Sequence, residues 1–433
     1  MRASFTDYCL MSISAAQPLP LSVPRAAALY IGALLGPGLL LLPGLAAAQA
    51  GPASILAWAG LLVLSAILAA VFSGLGRAVP GAGGAAGYAA AGLGRRAAAV
   101  TRWWFLAGVI TGAPIVCLIG ASYMTALTGG GQLTRAAIAA GLLLGVLGLA
   151  AGGVRASTLA QLLLVALLVT VVITAVTGSA HAGHAGNWTP FAPHGWLSIG
   201  RAASTLMLSF VGWEAVAPLT GRLRAGQLPR VIGIAFGVTA VLYLGLAVAT
   251  ISCLGHGADL AVPLADLLQL AMGPAGRAVA AVAALILTAG SVNAYLSGAT
   301  EMLRELSGGR TGAFLGFIAA TGLALIGLSA AGLADTAALV SVPTTMFVCV
   351  YLSCTAAAVR ILGARLRLAA AVAVVAVLAI LVFCGWGIAA AGVIAAVAVL
   401  ATRGSGVRKA VPALAASPTH QALAAASRDR AAA

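Results

Sequence analysis

The chain has 433 residues, of which 62% are hydrophobic and only 7% are charged, and its mean hydropathy is +1.10. So few charged residues cannot cover a water-facing surface, which excludes a soluble globular domain and is typical of a helical membrane protein with many spans. The net charge of +15 comes almost entirely from arginine. These arginines lie between apolar runs, so they indicate orientation in a bilayer rather than binding of nucleic acid.

The cysteines and histidines show no metal-binding pattern. The six cysteines are scattered, without a C-x-x-C pair, and His181 and His184 have no further ligand nearby in the sequence. We therefore expect neither a metal nor a cofactor.

Apolar runs of bilayer length predict twelve transmembrane helices. Residues 1–24 precede them as a cytoplasmic segment, without the apolar core of a signal peptide. Residues 403–433 follow as a disordered tail, and residues 25–402 form the membrane domain. The predicted spans are 26–48, 53–73, 103–127, 135–151, 157–177, 199–220, 231–253, 277–299, 312–330, 336–358, 366–384 and 386–402.

The basic residues orient these spans. With both termini in the cytoplasm, 20 of the 23 basic residues fall inside the cell, and only Arg135, Arg201 and Arg277 fall outside. This asymmetry is the positive-inside signal of a plasma-membrane protein.

The first span is interrupted by Gly36-Pro37-Gly38, and Pro43 follows near its end. Pro37 has no N–H for the carbonyl of Ala33, and glycines on both sides let the backbone leave the helix. An orphaned carbonyl in hydrocarbon needs a polar partner, which the substrate of a transporter would supply. The alternative is packing, because Gly32 and Gly36 form a small-xxx-small pair.

The sixth span carries a second break. Glu214 is the only acidic residue well inside an apolar run, and Pro218, four residues later, removes the helical donor of its carbonyl. An ionisable residue at this depth is a functional candidate. A protonated glutamate with a purely structural hydrogen bond is the alternative.

The two broken spans open two successive blocks of five helices, residues 25–177 and 199–358, and residues 366–402 add two more helices. Paired interruptions at corresponding positions indicate an inverted repeat. The predicted fold is therefore an all-α integral membrane protein with twelve transmembrane helices, a five-plus-five inverted repeat with broken first and sixth helices, and two extra helices.

At these residues the chain resembles the amino acid–polyamine–organocation (APC) superfamily of transporters, and within it the bacterial exporters of methionine and branched-chain amino acids. The resemblance covers residues 25–402 and rests on Gly36-Pro37-Gly38, the Pro80–Gly84 loop and the segment from Ser209 to Glu214. It implies that an amino acid is held in the middle of the membrane, between the two breaks.

The resemblance also implies roles for single residues. Amides around Gly36 and Gly38 would bind the substrate carboxylate, and carbonyls of the two breaks would bind its ammonium group. Family members often have Ser or Thr where this chain has Pro37, so carboxylate binding would also involve Leu39. The predicted substrate-binding residues are Ala33, Gly36, Gly38, Leu39, Ser209, Phe210, Val211 and Gly212.

Coupling to an ion is a separate question. Some relatives place a lysine in the fifth span in place of sodium, and this chain has none there. Glu214 is then the candidate for proton coupling. Sodium is less favoured but stays open, because Thr288, Ser291 and Asn293 offer oxygens in the eighth span, although such groups also serve helix-to-helix hydrogen bonds. Exchange without an ion is a third alternative.

The sequence therefore predicts a secondary transporter of neutral, mainly aliphatic or thioether amino acids. A transporter of another small cation or of a nucleobase on the same fold is the alternative. A polytopic membrane enzyme is disfavoured, because no catalytic cluster lies among the spans.

Overall fold

The computed structural model describes residues 21–36, 38–80, 82, 84–153, 157–213, 223, 226–255, 261–307 and 311–404. These residues form helices joined by short connections. Nine helical stretches in this part of the chain are long and apolar enough to cross a bilayer. The chain is therefore a multi-pass membrane protein, while the twelve-span count and the inverted repeat stay predictions.

In the first half of the chain, all helices except α4 (Ala85–Leu93) correspond to the predicted spans, and the first span is divided into two helices. Helix α1 ends just before Gly36-Pro37-Gly38, and α2 begins at Gly38. The helices are α1 (Val23–Leu34), α2 (Gly38–Ala50), α3 (Ser54–Ala78), α4 (Ala85–Leu93), α5 (Arg95–Thr128), α6 (Gln132–Ala151) and α7 (Thr158–Ser179).

In the second half, the first helix of the predicted 199–220 span ends at Leu206, and a short 3₁₀ turn, Met207–Phe210, follows it. The rest of this span beyond Trp213 lies outside the described residues. The helices are α8 (Leu197–Leu206), α9 (Leu228–Ala249), α10 (Pro263–Met272), α11 (Pro274–Ser307), α12 (Thr311–Ala330), α13 (Thr336–Ile361), α14 (Ala364–Val382) and α15 (Gly387–Gly404).

Helices α4 and α10 have no counterpart among the predicted spans. Both are too short to cross a bilayer, with 9 and 10 residues. Gly84 and Gly94 flank α4 with φ values of +102° and +90°, so glycine sets both ends of this helix. The Gly-rich loop after the second span therefore leads into a helix, which packs on α13 through a close contact of Gly92 with Ala357.

The outer surface of the bundle is apolar. Large aliphatic side chains such as Val241, Val382 and Leu400 are more than 60% exposed. This pattern suits helices that face lipid, because the hydrocarbon core removes the cost of exposing them.

Buried aromatic rings form two groups in the interior. Tyr30 of α1 packs on Trp213 with ring centroids 5.5 Å apart. Trp58 of α3, Phe210 and Tyr243 of α9 pack on one another with centroids 5.1–5.9 Å apart.

Candidate functional site

The two breaks touch each other through their backbones. Pro37 cannot donate to the carbonyl of Ala33, and this carbonyl lies against Gly212. A Cβ atom added to Gly212 would lie only 2.4 Å from the Ala33 oxygen, and Gly212 has a φ of +136°. Only glycine fits this place, because a side chain would collide with the backbone of the first span. The structure therefore brings together Ala33 and Gly212, two of the residues predicted to bind substrate.

A tyrosine from α13 supports the second break. The chain turns into extended geometry at Val211, and the Tyr351 hydroxyl accepts hydrogen bonds from the N–H groups of Gly212, at 2.8 Å, and Trp213, at 3.1 Å. The same hydroxyl donates to the carbonyl of Phe210 at 3.3 Å. One phenol therefore satisfies backbone groups on both sides of the point where the helix ends.

Two further tyrosines meet carbonyls of the breaks. The Tyr243 hydroxyl, on α9, is 2.8 Å from the Leu34 oxygen and 2.5 Å from the Ser209 oxygen. Tyr30, on α1, donates to the carbonyl of Trp213 at 3.0 Å. Tyrosine side chains of the protein therefore hydrogen-bond several backbone carbonyls at the two breaks.

The N-terminus of α2 faces a free hydroxyl. A Cβ atom on Gly38 would lie 3.1 Å from the Ser209 Oγ, and within the described chain this buried oxygen has no hydrogen-bond partner. The amide of Leu39 already donates to the Gly36 carbonyl at 3.2 Å. A helix N-terminus carries partial positive charge, and a serine hydroxyl can donate to an anion. The space between the N-terminus of α2 and the Ser209 hydroxyl can therefore hold a carboxylate. The Leu39 amide is less available to it, because it already donates to the Gly36 carbonyl.

A narrow cavity opens beside the first break. Its volume is about 50 Å³, room for a few water molecules. Apart from Tyr295, its lining side chains are apolar, and backbone is exposed at four glycines. The lining residues are Gly36 and Gly38 at the first break, Gly108, Val109, Gly112, Ala113, Ile115, Val116 and Ile119 on α5, Leu208 on the 3₁₀ turn, Val292 and Tyr295 on α11, and Pro343 and Phe347 on α13.

Gly32 and Gly36 have different surroundings, although their spacing suggests a shared packing face. A Cβ on Gly32 would lie 2.6 Å from the Val165 side chain, so Gly32 packs tightly on α7. A Cβ on Gly36 would meet no atom within 4 Å, and Gly36 lines the cavity. Packing thus explains Gly32 but not Gly36.

The three candidate ion-contacting residues of α11, Thr288, Ser291 and Asn293, do not all lie on one side of the helix. Thr288 packs on α5, where a Cβ on Gly120 would lie 2.6 Å from its Oγ1. Ser291 and Asn293 are two residues apart, so they leave the helix in different directions. Within the described chain, the Thr288 hydroxyl and the Asn293 carbonyl oxygen are buried without hydrogen-bond partners. Pro37, Glu214 and Pro218 lie outside the described residues.

The sequence reasoning missed the tyrosines that serve the breaks. The positions of these tyrosines in the sequence could have indicated their role. Tyrosines of membrane helices usually concentrate at the two membrane surfaces. Tyr30, Tyr243 and Tyr351 lie instead within predicted spans, where a buried hydroxyl needs a polar partner. The partners were not identifiable, since they are 34 to 209 residues away in the chain.

Comparison with known proteins identifies the family of this chain. A family model described as amino acid permease matches residues 21–404. The chain is 32% identical over 361 residues to the amino acid permease YecA of Bacillus subtilis, covering 78% of this chain and 84% of that protein. It is 26% identical to the L-methionine/branched-chain amino acid exporter YjeH of Escherichia coli, covering 82% and 88%. The chain belongs to the amino acid permease family.

Proposed function

We propose that this permease is a secondary transporter of neutral amino acids with aliphatic or thioether side chains, coupled to proton movement and working by alternating access in the plasma membrane. Both termini face the cytoplasm in this proposal, as the distribution of arginines suggests. The observation that carries the proposal is the meeting of the two breaks beside an apolar cavity, at Ala33, Gly212 and Gly36.

The substrate backbone would lie between the breaks. Its carboxylate would meet the Gly38 end of α2 and the free Ser209 hydroxyl, and the amide of Gly36 would assist. Its ammonium group would meet the carbonyls released by the breaks, at Ala33, Ser209, Phe210 and Val211. Binding of both charged groups by backbone and the Ser209 hydroxyl leaves the side chain of the substrate for the cavity.

The cavity favours an apolar substrate side chain. No charged side chain of the described residues lines it, and a buried charge without a partner is costly. Its small volume also means that a methionine or leucine side chain requires neighbouring helices to move apart, as alternating access demands. The name of YjeH, an exporter of L-methionine and branched-chain amino acids, supports the same substrate class.

A competition experiment in proteoliposomes tests this substrate class. We expect unlabelled methionine, leucine and isoleucine to inhibit transport of radiolabelled methionine at least about 100-fold more strongly than arginine or glutamate, because charged side chains would lose water without gaining a partner. Uptake and efflux are both measured, with imposed proton and sodium gradients. Equal inhibition by arginine or glutamate would contradict the proposal, and empty liposomes are the control.

The contact of Gly36 with the cavity gives a second prediction. Gly36→Leu should reduce transport by at least about tenfold, because its side chain would occupy the space that the substrate needs. Gly36→Ala should stay close to wild type, since the added methyl group meets nothing within 4 Å. Transport kinetics and expression of the folded protein are compared for both variants. Normal kinetics in Gly36→Leu would remove Gly36 from the site.

A further inference from the structure

The hydroxyl of Tyr243 is shared by the two breaks. It lies 2.8 Å from the carbonyl oxygen of Leu34, the last residue of α1, and 2.5 Å from that of Ser209, in the 3₁₀ turn of the sixth span. A phenol has a single proton to donate. Two carbonyl oxygens therefore compete for one donor.

The phenol is firmly placed. Tyr243 is fully buried, and its ring packs against Trp58, at a centroid distance of 5.2 Å, and Phe210, at 5.1 Å. These two rings also contact each other, at 5.9 Å, so the three rings form a triangle. Because close packing restricts the ring, the hydroxyl is held where it meets the two carbonyls.

Among the described residues, Tyr243 is the side chain that donates to these two carbonyls. The helix hydrogen bond that the Leu34 carbonyl would normally accept is lost at the break, and no basic side chain of the described residues bonds either oxygen. Within a membrane protein, buried carbonyl oxygens that lack donors attract a cation. An ammonium group supplies both the positive charge and the missing N–H donors.

We propose that Tyr243 is a positioning residue for the substrate ammonium. Its hydroxyl orients the Leu34 and Ser209 carbonyls toward one point. Because the hydroxyl has one proton for two acceptors, one carbonyl still needs a hydrogen-bond donor, and the amino group of the substrate supplies it. This inference rests on the proposed function and adds to it a residue on α9 that fixes the positions of the two breaks relative to each other.

The test compares Tyr243→Phe with Tyr123→Phe. Tyr123 is a matched control, because it is also fully buried and its hydroxyl also donates to a carbonyl of the first span. Within the part of the chain that the structure describes, that carbonyl, of Leu40, is its one acceptor. The measurement is inhibition of radiolabelled leucine transport by methionine and by its 2-hydroxy analogue, in which a hydroxyl replaces the amine. The ratio of the two inhibition constants reports how strongly the site prefers the amine.

In Tyr243→Phe, we expect the preference for the amine to fall about tenfold, the effect of losing one well-directed hydrogen bond. In Tyr123→Phe the preference should equal that of wild type. A purely structural tyrosine would weaken both inhibitors equally and leave the ratio unchanged, which would overturn the proposal. A raised preference would also overturn it, since the hydroxyl would then compete with the ammonium group, as would an equal fall in Tyr123→Phe.

A second variant covers the case in which Tyr243→Phe does not fold. Trp58→Phe removes part of the wall that holds the phenol, and should lower the preference by a smaller factor; an unchanged ratio would then count against the proposal. Failure of the proposed function is recognised separately, because wild-type protein would then transport no amino acid. If wild type prefers the amine and Tyr243→Phe does so equally, only the role of Tyr243 fails.

Discussion

Gly212→Ala should reduce transport by about 100-fold or more. The φ of +136° at Gly212 is strained for any residue with a Cβ atom, at a cost of about 1–3 kcal/mol, which alone shifts an equilibrium by about 5- to 150-fold. The added methyl carbon would also lie 2.4 Å from the Ala33 oxygen and 2.8 Å from its carbonyl carbon. Because both atoms belong to backbone, the collision is relieved only if the two breaks separate.

The measurement is methionine transport in proteoliposomes, with size-exclusion chromatography and thermal stability to follow folding. Gly332→Ala is the matched control for strain, because Gly332 has a φ of +70° but open space around its Cβ position. This control should lose stability without losing transport. Transport at the wild-type level in Gly212→Ala would mean that the close approach of the two breaks is not needed for function.

The positions of the breaks follow from local chemistry, and the sequence therefore predicted the first one well. Gly36-Pro37-Gly38 cannot continue a regular helix, and α1 indeed ends at Leu34. In the sixth span the break was expected around Gly212 to Pro218, and the helix there ends at Phe210. Its last described turn is stabilised by Tyr351 from α13, a contact between residues about 140 apart in the chain.

The surroundings of the breaks depend on tertiary packing, which periodicity does not encode. The hydrophobic pattern of α9 marks it as a membrane helix, but it does not indicate that Tyr243 points at two carbonyls. Likewise, Gly108 and Gly112 on α5 look like ordinary helix-packing glycines in the sequence. Only the folded chain shows that they line the cavity opposite Phe347 and Pro343.

Gly32 and Gly36 share a sequence pattern but have different surroundings. Spacing alone groups them, and the choice between packing and function stays open from the sequence. Gly32 packs closely on Val165, whereas Gly36 has open space beside it, so its role in binding is a prediction. A pattern of small residues thus indicates that another group can approach the helix closely. The fold determines whether that group is a neighbouring helix or the contents of a cavity.

Glu214→Gln should abolish acceleration of transport by a pH gradient while exchange of substrate continues. Glu214 lies outside the described residues, so this prediction rests on its place in the sequence, inside an apolar run and one residue after Trp213. A carboxylate in a membrane interior is costly, so proton uptake and release there would accompany movement of the substrate. Glutamine keeps the shape and the hydrogen bonding of the protonated acid but cannot titrate.

The experiment measures methionine transport in the same vesicles with and without an imposed pH gradient, for wild type, Glu214→Gln and Glu214→Ala. We expect the gradient to accelerate wild type at least about tenfold more than Glu214→Gln, since one titrating group is the whole coupling path in this proposal. A structural glutamate would give a different pattern, in which glutamine preserves gradient-driven transport and alanine lowers stability through an unsatisfied partner. Tyr30 of α1 donates to the carbonyl of Trp213, the residue that precedes Glu214 in the sequence. Full acceleration by the gradient in Glu214→Gln would rule out proton coupling through this residue.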